Sequence, residues 1–152
     1  MVREGDRAPD FTLMSDSGER VTLSSLRGRP VVLYFYPKDD TPGCTTQARG
    51  IRDAYREFEE AGAVVLGISP DDAGSHERFK QKYSLPFTLL ADDGHSVADD
   101  YGVWGEKSYM GRKYHGVDRT TFVIGADGIV EKVLRKVKPA THAEDVLAVL
   151  RP

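Results

Sequence analysis

Three apolar segments separated by helical patterns restrict the fold of this chain more than any other feature. They are VVLYFYP at 31–37, AVVLGIS at 63–69 and FTLLADD at 87–93. The first two are continuous runs rich in β-branched and aromatic residues, which is typical of strands buried on both faces. Helical spacing over about 45–61, ended by Gly62, and again within 70–85 predicts crossover connections, so these strands should pair in parallel.

Shorter patterns complete the predicted architecture on both sides of this unit. Before this unit we expect a hairpin at 11–23. After it we expect a short helix at 95–103, a polar loop at 105–117 and a second hairpin at 119–137 with its turn at 126–128. A closing helix at 139–150 has Thr141 as its candidate N-cap. The order is thioredoxin-like. We therefore predict one α/β domain over 1–152, with a central mixed β-sheet flanked by helices and an N-terminal β-hairpin.

Composition excludes several classes of function. The 152-residue chain has a net charge of −3 and no basic stripe with interleaved aromatics, so we expect no nucleic-acid partner. The longest apolar run is too short to cross a bilayer, and the first ten residues have no apolar signal-peptide core, so we expect no membrane association. A single cysteine excludes an internal disulfide and favours the cytoplasm. No obvious exposed apolar stripe argues for a dimer, so we expect a monomer.

That single cysteine, Cys44, lies between a predicted buried strand and a predicted helix. Unpaired amides and the positive dipole end at a helix N-terminus favour a thiolate over a thiol. Pro37 and Pro42 stiffen the approach by fixing φ, and Gly43 allows either close contact or an unusual backbone angle. The Thr41 hydroxyl could turn toward the sulfur or a bound oxygen. The alternative is a buried structural cysteine, which is common, but polar loop residues on both sides favour a reactive thiol.

The segment YPKDDTPGCTTQARGIRD resembles the active-site segment of the peroxiredoxins, which are thiol peroxidases on a thioredoxin-like fold. It matches their Pro-x-x-x-Thr-x-x-Cys pattern with Pro37, Thr41 and Cys44. The segments GDRAPDFTL and GVWGEKSYMGRKYHGVDRTTFVIGADGIV also resemble the bacterioferritin comigratory protein, or peroxiredoxin Q, group. The resemblance therefore covers nearly the whole chain.

The resemblance implies a role for each residue of the motif. Cys44 would be the peroxidatic cysteine, whose thiolate attacks hydrogen peroxide or a small organic hydroperoxide and becomes a sulfenic acid. Arg119 would hold the thiolate in its ionised form and stabilise charge on the departing oxygen. Thr41 would align the peroxide, and Pro37 would shield the sulfur from water. This chemistry implies no metal, flavin or haem cofactor.

The sequence departs from that group at the resolving cysteine. Many members carry it five residues after the peroxidatic one, where this chain has Arg49, and others carry it near Phe79 or Lys80. An intramolecular disulfide is therefore impossible. The resemblance then implies a one-cysteine scheme, in which an external thiol such as thioredoxin, glutaredoxin or a low-molecular-weight thiol reduces the sulfenic acid.

The sequence is also compatible with other thiol chemistry to different degrees. A disulfide reductase normally uses Cys-x-x-Cys, and position 41 is threonine. A non-catalytic redox sensor that passes oxidation to a partner protein stays open, because the second cysteine is absent. We interpret Asp39 and Asp40 as solvated loop residues. We interpret the four histidines as solvated or structural; they are His76, His95, His115 and His142. The aromatic residues near the polar loop are interpreted as packing residues, with the lining of the substrate mouth as the alternative; they are Trp104, Tyr109 and Tyr114.

Overall fold

The protein is represented by a computed structural model that describes residues 1–151. Its strands are β1 (Thr12–Ser15), β2 (Arg20–Thr22), β3 (Val31–Phe35), β4 (Val64–Ser69), β5 (Thr88–Ala91), β6 (Trp104–Tyr109), β7 (Arg112–Val117), β8 (Thr120–Ile124) and β9 (Val130–Leu134). Its helices are α1 (Pro42–Asp53), α2 (Tyr55–Glu60), α3 (Ala73–Tyr83), α4 (Ser96–Tyr101) and α5 (His142–Leu150), with a short 3-10 turn at Leu23–Leu26.

Seven strands form the main sheet in the order β2-β1-β5-β4-β3-β8-β9. Strands β3, β4 and β5 are parallel, whereas β8 is antiparallel to β3, and β1 is antiparallel to β5. The three apolar segments thus form the centre of a mixed sheet, with the predicted hairpins at its edges. The predicted thioredoxin-like α/β class is confirmed.

Residues of β3 alternate between two hydrophobic cores because successive side chains of a strand point to opposite faces. Leu33 and Phe35 join α4 and the N-terminal segment in one core, and Tyr34 joins the core formed with α1, α2, α3 and α5. Opposite Tyr34 in the β3–β4 register lies Gly67, where a Cβ atom would sit 2.9 Å from the tyrosine ring. The absence of a side chain at Gly67 therefore leaves room for the Tyr34 ring, which packs against α5.

The predicted loop at 105–117 is wrong: this segment forms an antiparallel hairpin of β6 and β7, separate from the main sheet. Its turn residues Met110 and Gly111 both have positive φ, 51° and 80°, as a two-residue hairpin turn of type I′ requires. Most of its side chains are exposed on both faces. The hairpin therefore lacks the apolar alternation by which a half-buried strand is predicted.

The predicted helix at about 45–61 also differs, because it begins earlier and is interrupted. It starts at Pro42, which favours the first helical position, and it breaks at Ala54 (φ −101°, ψ 10°) into α1 and α2. Thr141 does occupy the N-cap position of α5, but its hydroxyl donates to Asp145 Oδ2 at 3.0 Å instead of accepting from the first turn. Within residues 1–151, every helix is too short or too polar to cross a membrane.

Candidate active site

Cys44 is the third residue of α1, so its sulfur lies at the first turn of the helix that follows the buried strand β3. The side chain is 2% exposed. The unpaired amides of a helix N-terminus stabilise negative charge in their vicinity. The fold therefore places the only sulfhydryl group of the chain in a shielded position at the N-terminal end of a helix.

Arg119 lies beside that sulfur although it is 75 residues away in sequence. The β3–β8 register explains this, because Phe35 at the end of β3 pairs with Thr120 at the start of β8. The residue before β8 is thus brought next to the chain that leaves β3 for the cysteine. The Arg119 Nη1 group lies 3.4 Å from Cys44 Sγ and also donates to Gln47 Oε1 at 2.7 Å.

Gly43 makes room for the guanidinium. A Cβ atom at this position would lie 3.0 Å from Arg119 Nη2 and 3.6 Å from Pro139 Cγ. Its φ is outside the left-handed region, so the requirement here is for space. Of the two reasons for a glycine here, close contact or an unusual backbone angle, close contact is the one observed.

Thr41 and Pro37 frame the loop before the helix. Thr41 is the N-cap residue of α1, yet its hydroxyl donates to Lys38 O at 2.9 Å and makes no bond to the first turn. Its hydrogen is thus in use, while its oxygen can still accept a hydrogen bond. Pro37 is half-buried directly after the last buried residue of this segment, Tyr36. Among residues 1–151, no hydrogen bond joins either residue to the sulfur, so their predicted roles stay predictions.

The interpretation of Asp39 as a solvated residue is wrong. Its side chain is buried, and it accepts hydrogen bonds from Tyr36 Oη at 2.6 Å and Ser75 Oγ at 2.8 Å. Its second oxygen also lies 2.7 Å from His76 Nδ1. Asp39 therefore fastens the loop before Cys44 to α3.

Asp40 is exposed, as expected, but it is not free. It has a positive φ of 55° and binds Lys82 Nζ and Tyr83 Oη, each at 2.8 Å. The Lys82 and Tyr83 hydrogen bonds hold the pKa of Asp40 below its usual value. Both carboxylates thus have partners on α3.

Asp39, Asp71 and His76 bring three potential metal ligands within 4.8 Å of one another. Their atoms are already bonded inside the protein, since Asp71 Oδ2 accepts from the Asp39 amide and from Ser69 Oγ, each at 2.8 Å. His76 Nε2 meets the carbonyl of Leu90 at 2.8 Å. These bonds are sufficient to explain the cluster as an anchor for the active-site loop.

Behind Arg119 lies a second buried polar group that the sequence analysis did not assign to the site. Gln47 Nε2 lies 3.1 Å from His142 Nδ1, and His142 Nε2 lies 2.7 Å from Thr121 Oγ1. Gln47 is 1% exposed, and neither His142 nor Thr121 is exposed at all. Hydrogen bonds therefore run from Cys44 through Arg119, Gln47 and His142 to Thr121.

Burial lowers the pKa of His142 to about 4, and the positive charge of Arg119 contributes to the lowering, while the carboxylate of Asp145 opposes it. The imidazole is therefore neutral at neutral pH. One signal in the sequence could have revealed this group. Gln47 shares the helical spacing of the apolar residues Ala48 and Ile51, and a polar residue on a core-facing stripe needs a buried partner.

The remaining histidines and the aromatic residues named from the sequence lie on the β6–β7 hairpin or against it. His95 stacks on half-buried Trp104, with ring centroids 3.8 Å apart, and His115 is exposed on β7. The prediction that Tyr109 and Tyr114 are packing residues is wrong, because both are exposed on the hairpin. The hairpin does not contribute a core in which their rings could be buried.

Comparison with known proteins gives a consistent result. The AhpC/TSA family model matches residues 4–133. The putative peroxiredoxin bcp of Coxiella burnetii is 50% identical over 146 residues, which cover 96% of this chain and 97% of that protein. The peroxiredoxin Bcp of Bacillus subtilis is 47% identical over 150 residues, which cover 99% of this chain and 96% of that protein.

A solved structure supports the same assignment. The bacterioferritin comigratory protein of Xanthomonas campestris, described for its alkyl peroxide reduction activity, superposes with a TM-score of 0.90 at 36% identity, covering 99% of this chain and 96% of that chain. A family model that matches most of the chain agrees with relatives matched over nearly their full length. The chain thus belongs to the AhpC/TSA family and, within it, to the thiol peroxidases of the Bcp/peroxiredoxin Q group.

Proposed function

We propose that this thiol peroxidase reduces hydrogen peroxide and small organic hydroperoxides through Cys44 and that an external thiol recycles it. The observation that carries the proposal is the pairing of the one sulfhydryl group, at a helix N-terminus, with the Arg119 guanidinium at 3.4 Å. The alkyl peroxide activity for which the Xanthomonas relative is described supports the organic substrates. Reducing conditions suit a one-cysteine enzyme, so the cytoplasm remains our expectation. A monomer also remains our expectation.

In the first step the Cys44 thiolate attacks the terminal oxygen of the peroxide. An S–O bond forms and the O–O bond breaks, and the departing oxygen takes the electron pair and then a proton, giving water or an alcohol. Cys44 is oxidised to a sulfenic acid as the peroxide is reduced. Arg119 stabilises the thiolate and the charge that develops on the oxygens. The Thr41 oxygen accepts the peroxide O–H, because its own hydrogen is donated to Lys38.

Recycling requires two equivalents of an external thiol. The first attacks the sulfenic sulfur, releasing water and forming a mixed disulfide, and the second attacks the mixed disulfide and releases Cys44. Thioredoxin, a glutaredoxin system and low-molecular-weight thiols are the candidate donors. Because Cys44 is 2% exposed, a donor larger than a peroxide reaches it only when the first turn of α1 opens. The missing side-chain cap at Thr41 leaves that turn less firmly held.

Steady-state turnover tests the proposal. We expect peroxide consumption that needs both Cys44 and an added thiol, with two thiols oxidised per peroxide, and no activity in Cys44→Ser. Each donor class is assayed separately with hydrogen peroxide and with a small alkyl hydroperoxide. A protein that is oxidised once and then stops with every donor would contradict turnover and favour the redox sensor instead.

A further inference from the structure

We propose that His142 is a positioning residue that holds the Gln47 amide in the orientation by which it anchors Arg119 beside Cys44. This inference rests on the proposed roles of Cys44 and Arg119. It adds a residue from the C-terminal helix α5, 98 positions beyond the cysteine in the printed numbering, to the determinants of the peroxide step.

The direction of the hydrogen bonds follows from the chemistry of arginine. A guanidinium carries only N–H donors, so the Gln47 atom that lies 2.7 Å from Arg119 Nη1 must be the amide oxygen. The amide nitrogen then faces His142 Nδ1 at 3.1 Å. Because that nitrogen is a donor, Nδ1 must accept and carries no hydrogen.

The second ring nitrogen completes the assignment. A neutral imidazole with an unprotonated Nδ1 has its hydrogen on Nε2, which donates to Thr121 Oγ1 at 2.7 Å. Protonation of Nδ1 would direct an N–H at the Gln47 amide hydrogens and break the contact. The burial that lowers the pKa of His142 to about 4 keeps the ring in the accepting form at neutral pH.

Gln47 needs this support because the last torsion of a glutamine side chain has broad minima. Without an acceptor at Nδ1, the amide nitrogen loses its partner, and Arg119 alone still orients the amide. A rotated amide would present N–H groups to the guanidinium, and Arg119 would lose its 2.7 Å anchor. Thr121 lies two residues after Arg119, at the start of β8. The hydrogen bonds from Arg119 through Gln47 and His142 to Thr121 therefore join β8 to α1 and α5.

The first part of the test uses NMR of the unmodified protein. Nitrogen-15 spectra of the His142 ring at pH 7 should show the neutral tautomer with hydrogen on Nε2. A ring with hydrogen on Nδ1, or a protonated ring, would overturn the proposal. This readout does not depend on peroxidase activity, so it separates the fate of His142 from that of the proposed function.

The second part compares two variants in the reaction of Cys44 with hydrogen peroxide. His142→Phe keeps a ring but has no acceptor, and we expect it to slow the step by about 10- to 100-fold, since small misplacements of a catalytic group have effects of this size. His142→Gln offers one acceptor and one donor, and we expect a rate within about fivefold of the parent. Equal rates in the parent and His142→Phe, or equally slow variants, would overturn the proposal.

Folding and function are separated by two further measurements. Circular dichroism verifies the fold of each variant, and alkylation of Cys44 by iodoacetamide reports its reactivity without peroxide. If only the peroxide reaction fails in every form of the protein, the proposed function fails and the NMR result still decides the His142 assignment. If His142→Phe does not fold, Thr121→Val replaces it: a shift of tautomer with a slower peroxide step is expected, and no change in either would overturn the proposal.

Discussion

Two histidines lie completely buried on the same side of the sheet, yet their partners are opposite in kind. His76 Nδ1 faces the Asp39 carboxylate at 2.7 Å and Nε2 faces a backbone carbonyl at 2.8 Å, so both partners are acceptors. His142 faces an amide nitrogen and a hydroxyl, so it must accept on one side. The ring nitrogens of His76 therefore face a carboxylate and a carbonyl, whereas those of His142 face an amide nitrogen and a hydroxyl.

The difference shows that burial alone does not determine which hydrogen-bond partners a histidine has. Around Asp39 and His76, the hydrogen bonds fasten the active-site loop to α3, and their role is structural. Around His142, a single acceptor nitrogen orients Gln47 and through it the arginine that faces the sulfur. The hydrogen bonds around Asp39 hold the loop that precedes Cys44, whereas those around His142 hold the Arg119 guanidinium beside the sulfur.

The largest expected effect on stability comes from Asp39→Ala. Removing this carboxylate leaves His76, Tyr36 and Ser75 without their common buried acceptor, and breaking a buried pair in this way costs about 3–5 kcal/mol of unfolding free energy. Urea unfolding at pH 7 measures it. Asp40→Ala is the matched control, because the neighbouring carboxylate is exposed, and a much smaller loss is expected. Equal losses would remove the structural role assigned to Asp39.

The pH dependence of stability isolates His142. Its pKa is about 4 in the fold and 6.5 in the ordinary case, so between these values the unfolded chain binds a proton that the folded chain excludes. The contribution of His142 to the free energy of unfolding is fully present above pH 6.5. It falls as the pH falls towards 4, by about 1.4 kcal/mol per pH unit and about 3 kcal/mol in total.

Urea unfolding of the parent and His142→Gln between pH 7 and pH 4 tests this value. The groups that face the ring are Arg119 and Asp145, which are charged, and Tyr34, whose ring centroid lies 5.4 Å away and whose pKa burial raises. All of them remain in the variant, so the difference between the two curves reports His142. Parallel curves would contradict the neutral assignment.

Gln47→Glu should make the second region resemble the first. A carboxylate can still accept from Arg119, but it offers His142 Nδ1 an acceptor in place of a donor, as Asp39 does for His76. A neighbouring carboxylate raises the pKa of a histidine by about 1 to 3 units. NMR titration of the His142 ring measures the change, and an unmoved midpoint would contradict the tautomer argument.

The smallest expected effect is that of Gly43→Ala. Its added methyl group would lie 3.0 Å from Arg119 Nη2, and the arginine cannot move away without lengthening its bond to Gln47. We expect the peroxide step to slow by about tenfold. Gly50→Ala on the same helix is the control, since its methyl group would meet only the Ala143 Cβ at 4.0 Å. An unaffected rate in Gly43→Ala would show that the guanidinium tolerates displacement.

Much of the fold follows from local sequence, and the part that does not has a physical reason. The segment at 31–37 predicts a buried strand because apolar β-branched and aromatic residues have few alternatives. The β6–β7 hairpin was missed because its strands are exposed on both faces, so its signal lies in the turn at Met110 and Gly111. The break at Ala54 has no proline or glycine at that position to mark it.

Some residues of the candidate site could likewise be predicted from the sequence, and others could not. The placement of Cys44 at a helix N-terminus follows from adjacent residues, and the pairing with Arg119 was expected from the family resemblance. Gln47 and His142 are 95 positions apart, and only the packing of α1 on α5 brings them together. Asp39 was misassigned because a carboxylate in a polar loop is usually solvated, and its buried partner His76 is supplied by a later helix.

The most direct test of the account is rapid-quench mass spectrometry of the reduced protein mixed with hydrogen peroxide. The account predicts that a sulfenic acid forms on Cys44 about a thousandfold or more faster than on free cysteine, because the helix terminus and Arg119 stabilise the thiolate and the departing oxygen. Cys44→Ser should show no such product. Oxidation of Cys44 at the rate of free cysteine would contradict the account.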